Sequence, residues 1–166
     1  GLGFGTRVVH QNIEQFYASR LQPSPRSGAN PPFGQGSMGG YYTASELVLA
    51  MDDLQTQYPT LMAPKVSLGQ TLEGRDIWMW KVSDNPLQDE NEPEILIDGC
   101  HHAREPIALQ AAVWLAKQLC ERYGSDAELT EIVDKRELYI VPLVNVDGYV
   151  YNEMTHPNGG GVWRKN

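Results

Sequence analysis

Basic residues are scarce in this chain, and histidine and cysteine scarcer still. Against 21 aspartates and glutamates stand 13 lysines and arginines, giving a formal net charge of -8 and a pI near 4.9. No basic stripe is left to neutralise phosphates, so nucleic-acid binding is excluded as the main activity. No apolar run approaches the roughly 18 residues of a membrane span. The two cysteines, Cys100 and Cys120, have neither the spacing of a disulfide framework nor that of a Cys-rich zinc site, and they read as buried free thiols. There is no internal repeat. The chain starts at Gly1 with no methionine and no signal peptide, which makes it read as a piece of a longer product.

What is present suffices for one domain with a real core: 166 residues, 41% hydrophobic and 20% charged. Val8 to Leu21 has helical spacing of apolar groups (Val9, Ile13, Phe16, Tyr17), and Gln22 to Gly40, crowded with Pro, Ser and Gly, reads as a linker. A helix followed by a flexible connection with Arg20 and Arg26 as cleavage points has the form of an activation segment; an ordinary surface loop has the same composition. Thr43-Ala-Ser-Glu46 is a capping-box pattern that starts a helix running to Tyr58-Pro59. Lys65 to Gln70 and Asp76 to Ser83 form a hairpin through Gly74, the second arm alternating Ile77 and Met79 with Trp78, Trp80 and Val82. Asp84 to Glu94 is a polar loop leading to a buried strand at 95 to 99.

After Pro106 the apolar pattern from Ala108 to Cys120 fits a long helix closed by Gly124, and Ser125-Asp-Ala-Glu128 repeats the capping box for a shorter helix through Val133. Leu138 to Val144 is a β-prone run ending in Asn145-Val-Asp-Gly148, a turn sequence. This order of elements predicts the α/β class, with helices flanking a mixed β-sheet.

The chemistry concentrates in Glu94 to Pro106, where an apolar strand meets a loop rich in His, Arg and Glu. Gly99 lets the backbone bend, and Pro106 suits the first turn of a helix. His102 and Glu105 thus lie in a strand-to-helix connection, where ligands collect in open α/β sheets and where imidazole and carboxylate can converge on one cation. Arg104 between them offers a fork for a substrate carboxylate. His101, adjacent to His102, points elsewhere and reads as a hydrogen-bonded structural residue. A lone His-x-x-Glu also occurs in solvated loops, and Arg164 taken alone is an exposed basic residue beside Lys165.

Gly99-Cys-His-His-Ala-Arg-Glu105, Val144-Asn-Val-Asp-Gly148 and Val162-Trp-Arg-Lys-Asn166 occur in the order and spacing of the zinc carboxypeptidases of the carboxypeptidase A family, which this chain resembles from about residue 40 to 166. Val82-Ser-Asp-Asn85, Asp89-Glu-Asn-Glu-Pro-Glu94 and the paired His101-His102 resemble the secreted bacterial carboxypeptidase T type; Val146 stands where the family usually has Pro, a change in a turn. The resemblance implies a zinc-carboxypeptidase-like fold, incomplete here, and a zinc-dependent exopeptidase acting on peptide and protein C-termini. It implies His102 and Glu105 as zinc ligands, Arg104 near the substrate groove, and Arg164 as the catalytic group that polarises the scissile carbonyl. It further implies calcium at Asp89, Glu90, Glu92, Glu94 and Glu137, with Tyr41 and Glu46 near a further contact, although the capping box already accounts for Glu46. Residues 1–38 then read as the end of a propeptide with its linker, 39–166 as the first part of the catalytic domain, and the mature chain as starting between about Gly28 and Gly40.

The family's third zinc ligand, its glutamate base and its carboxylate-gripping Asn-Arg pair lie beyond Asn166, and neither His10 nor His156 has the context of a ligand. The segment alone is therefore expected to be inactive and to expose apolar surface at an unpaired sheet edge. The complete protein is expected to be secreted, monomeric, and without nucleic-acid or membrane partners. Two further readings stay open: an acyl-amino-acid or peptidoglycan-directed hydrolase on the same scaffold, and a non-catalytic, calcium-stabilised module.

Overall fold

The computed structural model describes Gly5, residues 7–19 and residues 31–166. Arg20, Arg26 and residues 22–30 of the expected linker lie outside the described residues. The leading helix α1 covers only Ile13–Ala18, shorter than the apolar spacing suggests. Asn12 starts it by accepting from the Gln15 N–H, while Val8 and Val9 stay exposed and give no packing to extend it.

Residues 36–41 differ from an open linker. Bridges Gly36 to Gly40 and Met38 to Tyr41 close a small turn, and Met38 is buried in the core. Gly36 lies so close to the Tyr41 backbone that no methyl fits. Ser37 and Thr43 both donate to the Glu46 carboxylate, and Glu46 N–H returns to Thr43 Oγ1 at 3.2 Å, which completes the capping box of α2 (Ala44–Gln57). With its oxygens so engaged, Glu46 has little capacity for a metal. Leu47, Met51 and Leu54 form the buried face of α2.

Strands β1 (Val66–Gln70), β2 (Asp76–Val82), β3 (Glu94–Asp98) and β4 (Glu137–Val141) form one sheet in the order β1-β2-β4-β3. The β1/β2 and β2/β4 pairs are antiparallel and β3 runs parallel to β4, from Glu94 opposite Glu137 to Asp98 opposite Val141, so the sheet is mixed. Helices α3 (Pro106–Glu121), α4 (Ala127–Asp134) and α5 (Val146–Thr155) join α2 in flanking it. Trp80, Ile140, Leu109, Met51 and Tyr149 are fully enclosed in the shared core. Trp78, on the same face of β2 as Trp80, packs against that core from its edge.

Four local expectations change. The strand expected to be buried, β3, is exposed at every position but Ile97, which is half-buried. Asp126, not Ser125, caps α4, its carboxylate accepting from Glu128 and Leu129 N–H at 3.1 and 3.2 Å. β4 stops at Val141 because Pro142 has no N–H to continue the ladder. Asn145-Val-Asp-Gly148 is not a turn but the start of α5: Asn145 Oδ1 accepts the Gly148 N–H at 3.0 Å as a helix cap. Both cysteines are buried free thiols, and burial pushes each thiol up to about 12. Among the described residues no helix is long and apolar enough to cross a membrane.

Candidate metal centre

Beyond Asp98 the backbone continues to pair irregularly: Gly99 N–H reaches Val141 O, Val144 N–H reaches Gly99 O, and Asn145 N–H reaches Cys100 O. These bonds carry β3 into the loop that precedes α3. Gly99 is required by close approach rather than by a bend, since a methyl there would lie 2.9 Å from the carbonyl oxygens of both Ala108 and Pro142. The turn falls on Cys100, which adopts φ 51°, a conformation that costs a non-glycine residue about 1 kcal/mol or more.

His101 turns back to Asp98, with Nε2 3.3 Å from Oδ1. His102 turns the other way and sets Nδ1 3.0 and 3.1 Å from the two carboxylate oxygens of Glu105. Glu105 can point there because, as the residue before Pro106 at the start of α3, it makes no side-chain cap bond to the helix. Both side chains are about two-fifths exposed, at 39% and 46%, so the pair faces solvent. A borderline-soft nitrogen and a hard oxygen this close are a donor set that fits Zn²⁺.

Arg164, 62 residues on, reaches the same place, its Nη2 lying 2.6 Å from His102 Nε2. Arg104 stands apart from this contact. It is exposed and lines a cavity of about 230 Å³ together with Met38, Tyr41, Pro106 and Asn152. Among the described residues no ion pair holds it.

The acidic residues gather at the opposite end of β3, separated from the His102 loop by about 13 Å of strand. They form two groups, each with ligand atoms within 4.8 Å of one another: Asp89, Glu94 and Glu137, and Asp84, Glu90 and Glu92. Asp84 belongs with Glu90 and Glu92 although it was not among the expected calcium ligands; its signals were its place at the head of the acidic loop and in the Val82-Ser-Asp-Asn85 segment. Glu137 is fully buried and accepts from Lys81, from Glu90 N–H at 3.0 Å and from Tyr139 OH at 3.0 Å. The Lys81 bond, chiefly, holds its carboxyl below the usual range. Glu92 is pushed the other way by desolvation and by the charges of Glu90, Asp84 and Glu137. One oxygen each of Glu90 and Glu92 is enclosed without a hydrogen-bond partner among the described residues.

Two other carboxylates had no signal in the sequence, Asp147, which is buried, and Glu153, which is half-buried. Asp147 accepts from Thr71 Oγ1 at 2.8 Å, Glu73 N–H at 3.1 Å and Arg75 Nη1 at 2.6 Å, tying the hairpin turn to α5. Burial opposes its ionisation, but these three donors together leave it below its ordinary value. Glu153 accepts from Ala44 N–H at the head of α2, and desolvation pushes it up to about 7.

The sequence profile of the zinc carboxypeptidase family matches residues 47–166. A zinc carboxypeptidase of Saccharothrix mutabilis subsp. capreolus is 39% identical over 127 residues, covering 76% of this chain and 29% of that protein. Carboxypeptidase A1 of Mus musculus is 36% identical over 125 residues, covering 75% of this chain and 28% of that protein. The crystal structure of thrombin-activatable fibrinolysis inhibitor superimposes with a TM-score of 0.73 at 25% identity, over 94% of this chain and 36% of that one. The chain thus spans about three-tenths of the length of the curated relatives it matches.

Proposed function

The chain belongs to the zinc carboxypeptidase family, and on that premise we propose that it forms part of a metallocarboxypeptidase that hydrolyses the C-terminal peptide bond of peptides and proteins. The observation that carries the reading is the convergence of His102 Nδ1 and the Glu105 carboxylate at 3.0 Å with the Arg164 guanidinium beside them. His102 and Glu105 are two of the zinc ligands. When bound, zinc supplies a Lewis acid that activates water and polarises a carbonyl. Arg164 donates to the scissile carbonyl oxygen as negative charge builds on it, a contribution of about 2.7–4 kcal/mol for one well-placed donor. Arg104, exposed beside the small cavity near α5, binds substrate as a second, more distant cation.

Two protein donors hold a metal weakly, and among the described residues no carboxylate other than Glu105 lies against His102 to serve as base. The 166-residue chain by itself is therefore inactive, and the residues that complete the site belong to a longer protein. Residues 1–38 act as the end of a propeptide, and the complete enzyme is secreted and monomeric. Calcium binds the acidic groups at the far end of β3, where clustered hard oxygens suit it.

The test is a zinc titration of the full chain and of His102→Ala and Glu105→Ala, paired with hydrolysis of peptides carrying free or amidated C-termini by the complete protein. Zinc binding that needs both residues and cleavage confined to free C-termini is the expected result. Cleavage of the amidated peptides at equal rate, or zinc binding that ignores both substitutions, would sink the reading. N-terminal sequencing of the secreted product tests the propeptide: a mature terminus upstream of Arg20 rules it out.

A further inference from the structure

Helix α5 carries two buried asparagines, Asn145 at its N-cap and Asn152 seven residues later. Seven residues are close to two full turns, so both side chains leave the same side of the helix. Asn145 Nδ2 donates to the carbonyl oxygens of His101 at 3.1 Å and Arg164 at 3.4 Å. Asn152 Nδ2 donates to those of Ala103 at 2.9 Å and Trp163 at 2.8 Å, while its Oδ1 accepts from Trp163 N–H at 3.1 Å. Each amide therefore bridges one carbonyl on either side of His102 to one in the segment that carries Arg164. The two segments are joined directly as well, Ala103 N–H donating to Arg164 O at 3.2 Å.

The packing leaves no slack. A methyl on Gly148 would come within 2.7 Å of Asn145 Oδ1 and 2.9 Å of Ala103 Cβ, and closer still to the Lys165 carbonyl; one on Gly161 would strike the Asn152 amide. Helix, metal-site loop and Arg164 segment thus meet at contact distance around two neutral amides. Only an amide has the two donors and one acceptor used here: a carboxylate would face carbonyl oxygens with like partial charge, and a hydroxyl has a single proton.

We propose that Asn145 and Asn152 are positioning residues that set the spacing between the ligand His102 and the guanidinium of Arg164, acting through the backbone and touching neither metal nor substrate. The proposal rests on the reading of His102 and Glu105 as metal ligands. Residues that orient a metal ligand from behind change affinity by about 10- to 100-fold when lost, and these two hold the loop on both sides of His102.

The test separates positioning from support of the helix. Asn145→Ser keeps an oxygen able to cap Gly148 N–H but removes the two-donor bridge, and Asn145→Ala removes both. Zinc dissociation constants are measured in the full chain by competition with a chromophoric chelator for these variants, Asn152→Ser and His102→Ala, with thermal melting in parallel. Asn145→Ser and Asn152→Ser are expected to bind zinc about tenfold more weakly, and Asn145→Ala to bind it as Asn145→Ser does while melting at a lower temperature. Unchanged zinc affinity in both Ser variants, with lowered melting alone, overturns the positioning role and leaves the metal site standing. Zinc binding by His102→Ala equal to the parent chain overturns the metal site and this proposal together. Should Asn152→Ser not fold, Asn145→Ser decides alone, because it retains the cap.

Discussion

Nη2 of Arg164 lies 2.6 Å from Nε2 of His102, and because a guanidinium carries only donors, that ring nitrogen is an acceptor. The ring proton therefore sits on Nδ1, from which it is donated to Glu105 at 3.0 Å. A metal held by Nδ1 and Glu105 displaces that proton, and the neutral ring then carries its proton on Nε2, facing the Arg164 donors. Arg164 thus competes with metal for His102, and it must swing off the ring before it can reach a substrate carbonyl. Arg164→Ala is expected to bind zinc more tightly, by about tenfold, the equivalent of one lost charge-assisted hydrogen bond. The same variant of the complete enzyme should lose about 10²–10³ in kcat. Opposite changes in the two measurements are the signature; weaker zinc binding in Arg164→Ala would mean that no such competition exists.

Glu153 gives the chain a stability term that runs against the usual trend for acids. Desolvation raises its folded pKa to about 7, with Glu46 adding to the rise, while the Ala44 N–H and the charge of Arg75 oppose it. A raised folded pKa means the proton is held more tightly in the folded state. The associated stability is complete below the ordinary value near 4.5 and is lost as pH rises through about 7. Glu153→Gln removes the titration and keeps an acceptor for Ala44. The variant should match the parent chain in urea unfolding at pH 4 and exceed it at pH 8 by about 2–3 kcal/mol. An equal gap at both pH values would show that burial of the charge is not the cause.

Calcium should act mainly at Asp84, Glu90 and Glu92. In the neighbouring group the Glu137 carboxylate is already bonded to Lys81, to a backbone N–H and to Tyr139, whereas Glu90 and Glu92 each keep an enclosed oxygen with no partner among the described residues. Millimolar calcium is expected to raise the melting temperature of the full chain. Asp84→Ala with Glu92→Ala should abolish the shift, and Asp89→Ala with Glu94→Ala should reduce it. A shift that survives both pairs of substitutions would exclude this acidic face as the site.

Where a signal was local, it was legible in the sequence. Thr43 and Glu46 announce their reciprocal cap, Pro106 marks the first turn of α3, and the mixed sheet with flanking helices follows from the order of elements. The His102–Glu105 pair was readable because both donors sit on one short loop. Helix α5 was not, because Asn, Asp and Gly within four residues favour a turn locally; the helix is held by distant partners instead, Asp147 to the hairpin and Tyr149 OH to Tyr42 O at 2.6 Å. Gly148 is unfavourable in a helix interior, yet the approach of Lys165 and Ala103 leaves room for nothing larger. The Arg164–His102 contact spans 62 residues, and without the family's pattern nothing near Arg164 distinguishes it from a solvated cation.

β3 forms one edge of the sheet. Among the described residues it pairs with β4 alone, and Leu96 and Ile95 are 63% and 39% exposed on it. Its free N–H and C=O groups and apolar side chains make a template for another strand. Glu94 and Asp98 at its two ends are its only charges, so nothing in its middle repels a second copy. The 166-residue chain is therefore expected to self-associate with rising concentration. Leu96→Lys places a charge at the centre of the edge and should shift sedimentation velocity profiles toward monomer without lowering the melting temperature, since little of Leu96 is buried. Self-association unchanged in Leu96→Lys would locate the contact elsewhere, on the exposed Val162 and Trp163 in particular.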